Sequence, residues 1–371
     1  MKRLSFIALI LFVLLGCLAP RKVQAVAGVP GSPEFGYGAW LHPDGKYFQE
    51  GLNLLGELPL DWIAMPLDWA LWMPDPAKTG DLSALDRAMQ AASAAQTAVM
   101  ISLSHPPAWA VSSQGPDSQL TAQTVTFLAS RYSGILQAVE LFPAANTIDG
   151  WQAAPDPAAY ARLYAEVKSA LQSKGLDIIL VAGGLRQVAH STAGAELNDL
   201  DFLSGMYKAG AAKWMDVIGL QFDQVTGSPL NSTADGQAFV LRHYEAVRQI
   251  MLENNHQSGL IWITQLCVPD GTINSGDKVY QDPQRQAEWL QQAAIQIRSQ
   301  LYIGAAFINN INPPSPAASR FGKTSLILNS DSVHPFYSVL KAIIQQTHPE
   351  GLEQSSGRPK GNSLLKCKYK T

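Results

Sequence analysis

Residues 137–183 read QAVELFPAANTIDGWQAAPDPAAYARLYAEVKSALQSKGLDIILVAG, one complete copy of the pattern that determines the fold. An apolar, β-rich run over 137–142 is followed by a segment of helical periodicity near 156–174, and then by a second β-rich run over 177–183. Asp156 stands where a helix N-cap would, and a proline suited to the first helical turn follows it. A strand, a helix and a strand in succession predict parallel strands joined by a crossover.

The same alternation repeats eight times along the chain. The predicted strands are Phe35–Trp40, Asp61–Pro66, Ala98–Leu103, Gln137–Phe142, Asp177–Gly183, Asp216–Phe222, Leu260–Gln265 and Tyr302–Asn309. The predicted helices lie near 46–57, 81–96, 118–132, 156–174, 197–211, 234–255, 282–299 and 332–347. Eight such units predict an α/β fold, a single-domain (β/α)8 TIM barrel over residues 26–347. An open doubly wound sheet is the alternative, but it would usually show fewer units and a phosphate-binding loop after the first strand.

Composition and charge narrow the possible functions. The 371 residues are 47% hydrophobic and 15% charged, which excludes intrinsic disorder of the whole chain. The net charge is −3, with +4 on residues 1–25 and +3 on residues 348–371, so residues 26–347 carry −10. An acidic body without a basic stripe argues against nucleic acid as a partner.

The N-terminal residues resemble an export signal. Two basic residues precede an apolar run from Leu4 to Leu15, which is shorter than the roughly 20 residues that a membrane-spanning helix needs. Two processing sites compete: cleavage after Ala25 would remove a signal peptide of residues 1–25, whereas Leu14-Leu15-Gly16-Cys17 resembles a lipoprotein box in which Cys17 is acylated. A permanent anchor helix is the remaining alternative. In the first two cases we expect the barrel outside the cytoplasm, in contact with a membrane only through a lipid on Cys17.

The cysteines and the C-terminal residues add further expectations. Residues 348–371 form a polar, Gly/Ser/Lys-rich tail that we expect to be disordered. It contains Cys367, so a buried thiol at Cys267 is favoured over a disulfide between the two. No CxxC pair, HExxH motif or Gly-rich phosphate loop is present, so the sequence predicts no metal and no cofactor. The oligomeric state is not predicted.

Tryptophans recur at the ends of the predicted strands. In a TIM barrel the carboxyl ends of the strands and the loops after them build the site. Indole faces can stack on the C–H faces of sugar rings, so a rim of tryptophans suits a carbohydrate cleft. The alternative is that these side chains simply cover the barrel mouth. The residues in question are Trp40, Trp69, Trp72, Trp109 and Trp151.

Several stretches resemble the glycoside hydrolases of clan A, in particular the cellulase-like and β-xylosidase-like members. They are FGYGAW at 35–40, DWIAMPLDWALWMP at 61–74, SLSHPPAWA at 102–110, VELFPAANTIDGWQAAPDPAAYARLYAEVKSAL at 139–171, DVIGLQF at 216–222 and LIWITQL at 260–266. The resemblance runs from Phe35 to about Gln345. It implies a TIM barrel in which one Glu after the fourth strand is the acid/base and another at the end of the seventh strand is the nucleophile. Retaining hydrolysis needs these two carboxyl groups about 5 Å apart.

The chain departs from the family at both positions. Setting Glu140-Leu141-Phe142-Pro143-Ala144-Ala145-Asn146 against the family's Glu-Ile-Trp-Asn-Glu-Pro-Asn places Ala144 at the acid/base position. Setting Trp262-Ile263-Thr264-Gln265 against Trp-Val-Thr-Glu places Gln265 at the nucleophile position. A methyl group transfers no proton and an amide is a very poor nucleophile, and the loss of a nucleophile alone lowers rates on the order of 10⁴ to 10⁶. The sequence therefore predicts negligible retaining glycosidase activity.

Other acidic residues near the strand ends are candidates to replace the two missing carboxyl groups. Glu140 is predicted to be a structural carboxylate deeper in the barrel. Asp223 and Asp149 follow the sixth and fourth strands and are the alternative candidates for catalytic residues. The other interpretation is that they are solvated acidic residues of the loops. Asp68 and His105 follow the second and third strands, where a packed loop role is favoured for the histidine.

Three functions remain open on the sequence alone. The first is an exported, catalytically inactive barrel that binds a polysaccharide or glycan at its C-terminal face. The second is an active O-glycosyl hydrolase that uses Asp223 or Asp149, and the third is a structural or protein-interaction barrel. The predicted substrate-binding residues are Trp40, Trp72, Trp109, Trp151, Asn146, Gln221, Gln265 and Asn309.

Overall fold

The computed structural model describes residues 26–32, 34–77, 80–233, 238–269, 282–314, 325–330 and 332–347. The predicted signal peptide with Cys17 and the predicted tail with Cys367 lie outside the described residues. Within the described ranges, no helix has both the length and the apolar character needed to cross a membrane.

Eight parallel strands close into a barrel in which each strand pairs with its sequence neighbours and the last pairs with the first. This confirms the predicted (β/α)8 fold and excludes the doubly wound sheet. The strands are β1 (Gly36–Trp40), β2 (Trp62–Asp68), β3 (Ala98–Ser104), β4 (Leu136–Leu141), β5 (Ile179–Arg186), β6 (Val217–Phe222), β7 (Leu260–Leu266) and β8 (Ile303–Ile308).

A helix follows each strand and packs outside the barrel. The helices are α1 (Phe48–Leu55), α2 (Ser83–Ala94), α3 (Ser118–Arg131), α4 (Pro157–Ser173), α5 (Asp199–Lys208), α6 (Tyr244–Glu253), α7 (Pro283–Arg298) and α8 (Phe336–Thr347). The predicted N-cap of α4 is confirmed, because the Asp156 carboxylate accepts hydrogen bonds from the N–H groups of Ala158 and Ala159.

The apolar residues form two layers because successive strand residues point to opposite faces of the sheet. Residues such as Ile63 and Ile263 belong to the core between strands and helices, whereas Trp62 and Trp262 fill the barrel interior. The two interior indoles pack edge to face with their ring centroids 4.8 Å apart. Their N–H groups donate to the carbonyls of Ala27 and Gly28, at 2.8 Å each. The N-terminal end of the barrel is therefore covered by the chain that leads into β1.

Several predicted boundaries differ from the structure, and two of the differences have a clear backbone cause. The helix predicted from residue 234 begins at Tyr244, because Phe239 has a left-handed φ of 59° and Val240 is extended. Strand β5 was predicted to end at Gly183 but continues to Arg186. The two glycines at 183 and 184, both at positive φ, make a bulge after which pairing with β6 resumes.

Candidate functional site

The two positions that the resemblance assigns to catalysis hold no ionisable group. Ala144 lies three residues past the end of β4 and is buried, with a φ of 58°. Its N–H donates to the carbonyl of Gly184 at 2.9 Å, which ties the loop after β4 to β5. Gln265 is half-buried near the end of β7.

A row of polar side chains crosses the mouth from β5 to β7, and we call Arg186, Gln221 and Gln265 the polar row. Arg186 is the register partner of Gln221, which is in turn the partner of Gln265. The register of β7 shifts by one residue at Thr264, so Gln265 takes the same facing as Gln221. Val217 lies four residues before Gln221 on β6 and packs in the barrel interior. Because every second residue of a strand points to the same face, Gln221 also points toward the barrel axis.

The polar row includes one ion pair, and sequence analysis missed its cation. Nε of Arg186 lies 3.4 Å from Oδ2 of Asp223, and both side chains are mostly buried, with 20% and 3% exposed. Asp223 was predicted to face the mouth, and this contact is consistent with that orientation. Arg186 was missed because the two preceding glycines indicated a strand end rather than a bulge.

Asn146 bonds the loops after β4 and β5 to each other, and its role in substrate binding stays a prediction. The residue is fully buried. Its Oδ1 accepts the N–H of Arg186 at 3.0 Å, and its Nδ2 donates to the carbonyls of Arg186 and Leu197 at 2.9 Å each. All hydrogen-bonding capacity of the amide nitrogen is used, so Asn146 positions the main chain of Arg186.

Glu140 lies below the mouth inside the barrel and is fully buried. The hydroxyl of Ser102 on β3 donates to its Oε2 at 2.6 Å. Burial raises the pKa of this carboxyl group, and hydrogen bonds with Ser102 and Thr264 oppose that effect only in part. Its predicted structural role fits this placement, since no ligand in the mouth could reach a group without exposed surface.

Two tryptophans of the predicted rim are core residues. Trp40 is 6% exposed, packs in the barrel interior and donates from Nε1 to the carbonyl of Thr264 at 2.7 Å. Trp151 is 1% exposed and donates to the carbonyl of Gln114 at 3.1 Å. Neither indole offers a face to a sugar ring, so their predicted substrate contacts are not available in this structure.

Trp72 and Trp109 instead line a groove beside the mouth, between the short helix Trp69–Trp72 and α3. The cavity measures about 310 Å³. Trp72 is itself 6% exposed and stacks on Phe127 with centroids 5.8 Å apart, whereas Trp109 is half-buried. The remaining lining residues are Met73, Pro76, Leu120, Gln123 and Thr124.

Asp68 and His105 form an ion pair next to the short helix Trp69–Trp72, with Oδ2 and Nδ1 2.8 Å apart. The hydrogen bond with Asp68 raises the pKa of His105, and nearby Asp149 adds to that effect. Burial alone would raise the pKa of Asp68, but the bonds from His105 and from the N–H of Leu71 hold it below its usual value. Asp149 is exposed on the short helix Ile148–Trp151.

Asn309 completes the inventory of predicted site residues. It follows β8, is 2% exposed, and donates from Nδ2 to Sγ of buried Cys267 at 3.4 Å. Its Oδ1 is buried without a hydrogen-bond partner. Across the described ranges, no group of three His, Cys, Asp or Glu side chains is arranged to hold a metal ion.

No protein-family model matches the sequence, and no curated protein matches it. Solved structures are similar in fold. A family 39 glycoside hydrolase from the gut symbiont Bacteroides cellulosilyticus WH2 aligns with 83% of this chain and 63% of its own, at a TM-score of 0.60 and 16% identity. A glucosidase from Croceicoccus marinus aligns with 87% of this chain and 71% of its own, at a TM-score of 0.60 and 10% identity. The family 1 β-glucosidase from Thermotoga maritima aligns with 86% of this chain and 98% of its own, at a TM-score of 0.54 and 12% identity.

The chain thus spans less than two thirds of the family 39 hydrolase and nearly the whole length of the family 1 glucosidase. Identities of 10 to 16% establish the fold alone. The chain has the closed (β/α)8 barrel found in the glycoside hydrolases of clan A.

Proposed function

We propose that this protein is a glycoside-hydrolase-like barrel that does not perform retaining hydrolysis and that binds a glycan at its mouth. The observation that carries the proposal is the pair of uncharged residues at the ends of β4 and β7, Ala144 and Gln265. Retaining chemistry requires one carboxylic acid and one carboxylate facing each other across the anomeric carbon. An alanine and an amide supply neither group.

The remaining acids are poorly placed to replace them. Glu140 has no exposed surface and lies under the mouth. Asp223 is already in contact with Arg186, and Asp149 is exposed on the rim. For these reasons we favour an inactive barrel over a hydrolase that uses Asp223 and Asp149.

The polar row supports binding. Primary amides carry two donors and an acceptor, and a guanidinium carries five donors, so Gln221, Gln265 and Arg186 match the hydroxyl groups of a sugar. The groove at Trp109 would take the apolar face of a neighbouring sugar ring.

Calorimetric titration of the purified barrel with a panel of polysaccharides tests the binding proposal. We expect Gln265→Ala to weaken binding about fivefold or more, because a hydrogen bond in the site is worth about 1 kcal/mol. Gln172→Ala is the matched control, since Gln172 is exposed at the far end of α4. Absence of binding to every polysaccharide at millimolar sugar would contradict the proposal.

A structural or interaction barrel is the second candidate, and one observation favours it. Trp40, Trp69, Trp72 and Trp151 all have 6% or less of their surface exposed, so the aromatic residues mainly fill the loops. This candidate predicts that no glycan binds to the wild-type protein and that Trp109→Ala lowers its stability.

We also propose that the barrel is exported, on the basis of the N-terminal sequence. Fractionation of cells that express the full chain tests this, with Cys17→Ala alongside. Loss of membrane association in that variant would indicate a lipid anchor, and unchanged secretion would indicate cleavage after Ala25. Retention of the full-length chain in the cytoplasm would contradict export.

A further inference from the structure

We propose that the glycan bound at the mouth is acidic, and that Arg186 binds a carboxylate on one of its sugars. The inference rests on the proposed glycan binding and adds the chemical class of the ligand. It assigns a specificity-determining role to a residue that was not among the sequence-predicted site residues.

Arg186 is a mostly buried cation that is incompletely paired. Only 20% of the Arg186 side chain is exposed, and its Nε is buried without a hydrogen-bond partner. Among the described residues, the polar contact of the guanidinium is with Asp223, at 3.4 Å. Charge-assisted hydrogen bonds between such groups are usually about 2.7–2.9 Å long. In the proposed complex, the other edge of the planar fork, Nη1 and Nη2, donates to the carboxylate.

The main chain of Arg186 is held in place beside the mouth. The amide of Asn146 bonds both the N–H and the carbonyl of Arg186, and the bulge at 183–184 brings the residue into register with Gln221. A guanidinium presents two parallel N–H groups, the geometry that matches a carboxylate. A lysine ammonium has no such fork.

The charge of the surroundings also favours an acidic ligand. Gln221 and Gln265 are neutral, and Ala144 carries no polar side chain. In a retaining glycosidase an ionised nucleophile would occupy this space and would repel an anionic sugar. Here Asp223 is in contact with the arginine. A uronate in the mouth would therefore not face the charge of a catalytic nucleophile.

Titration with matched polysaccharides tests the inference. The probes are glucuronoxylan, polygalacturonate and alginate, each beside its carboxyl-reduced form, with dextran sulfate and neutral dextran as the sulfate arm, at 0.15 M salt. We expect at least one uronate polymer to bind roughly ten- to a hundredfold more tightly than its reduced form, the range for hydrogen bonds to a charged group. We expect Arg186→Met to abolish that difference and Arg186→Lys to reduce it.

The controls separate this inference from the proposed function. Arg162→Met removes an exposed arginine from α4 and should leave all affinities unchanged. A far-ultraviolet spectrum and melting temperature of each variant verify folding, and Asp223→Asn should strengthen uronate binding. Equal binding of uronate and reduced polymers, or preference for sulfate alone, would overturn the carboxylate assignment and leave glycan binding intact. If no polymer binds, both proposals fail.

Discussion

Among single residues, Glu140 is one whose chemistry the barrel interior alters. It is fully buried, and burial raises its pKa. A carboxyl group with a raised folded-state pKa binds its proton more tightly in the folded chain than in the unfolded chain. Its contribution to stability is present in full below the unfolded-state pKa of about 4.3 and is lost as pH rises through the folded-state pKa.

We therefore expect Glu140→Gln to weaken the dependence of stability on pH above about pH 4.3. The amide keeps the shape of the side chain and has no charge to desolvate. Urea denaturation at pH 5 and pH 8 measures the effect: the wild-type protein should lose more stability between the two than the variant does. Glu166→Gln, at an exposed position on α4, should behave as wild type. Equal losses in wild type and Glu140→Gln would contradict the expectation.

Gly115 offers a second test on a single residue. It has a φ of 105°, and a Cβ there would collide with the indole of Trp151. We expect Gly115→Ala to lower the free energy of unfolding by about 3 kcal/mol, as overpacking adds to backbone strain. Gly134→Ala is the control, because Gly134 has a φ of 81° but no atom within 4 Å of its Cβ position, and should lower it by about 1 kcal/mol. Similar losses of unfolding free energy in the two variants would show that the contact with Trp151 adds nothing to the effect of Gly115→Ala.

The tryptophans show where sequence reasoning about single residues fails. Their positions after the strands were predicted, and the alternative that they cover the mouth was kept open. Position in the chain could not reveal that Trp151 turns inward against Gly115 and Gln114. That orientation depends on a hairpin, Val111–Ser112 with Gly115–Pro116, formed by a different loop.

Among the elements, the loops after β4 and β5 act as one unit. Asn146 links them through three hydrogen bonds, and the N–H of Ala144 adds a fourth link to Gly184. The amide is buried, so its removal leaves main-chain groups unpaired.

We expect Asn146→Ala to lower the free energy of unfolding by about 2–3 kcal/mol. The same change should weaken ligand binding, because the main chain of Arg186 loses its support. Chemical denaturation and calorimetric titration measure the two effects. Asn53→Ala, exposed on α1, should change neither. A variant that is destabilised but binds with unchanged affinity would remove Asn146 from the account of the site.

Strand β5 explains why half of the ion pair at the mouth was not predicted. Asp223 directly follows a recognisable strand, so its placement at the mouth followed from register. Arg186 follows two glycines, which usually end a strand. Whether two neighbouring glycines form a bulge or a turn depends on how the strand pairs with β6, and the local sequence does not contain that information.

Across the whole molecule, the fold was predictable and the chemistry of the mouth only partly so. Eight repeats of strand and helix specify a closed barrel because each crossover places the next strand beside the last. Closure also determines which side chains meet. Trp62 and Trp262, 200 residues apart in sequence, pack together in the interior and bond the chain at Ala27 and Gly28.

The most direct test of the account is the rate at which the purified wild-type barrel releases aryl aglycones from a panel of aryl β-glycosides. Without a carboxyl group at Ala144 or Gln265, we predict a rate indistinguishable from that of Gln265→Ala and Asp223→Asn. Hydrolysis by the wild-type protein that Asp223→Asn abolishes would contradict the account and identify an active glycosidase.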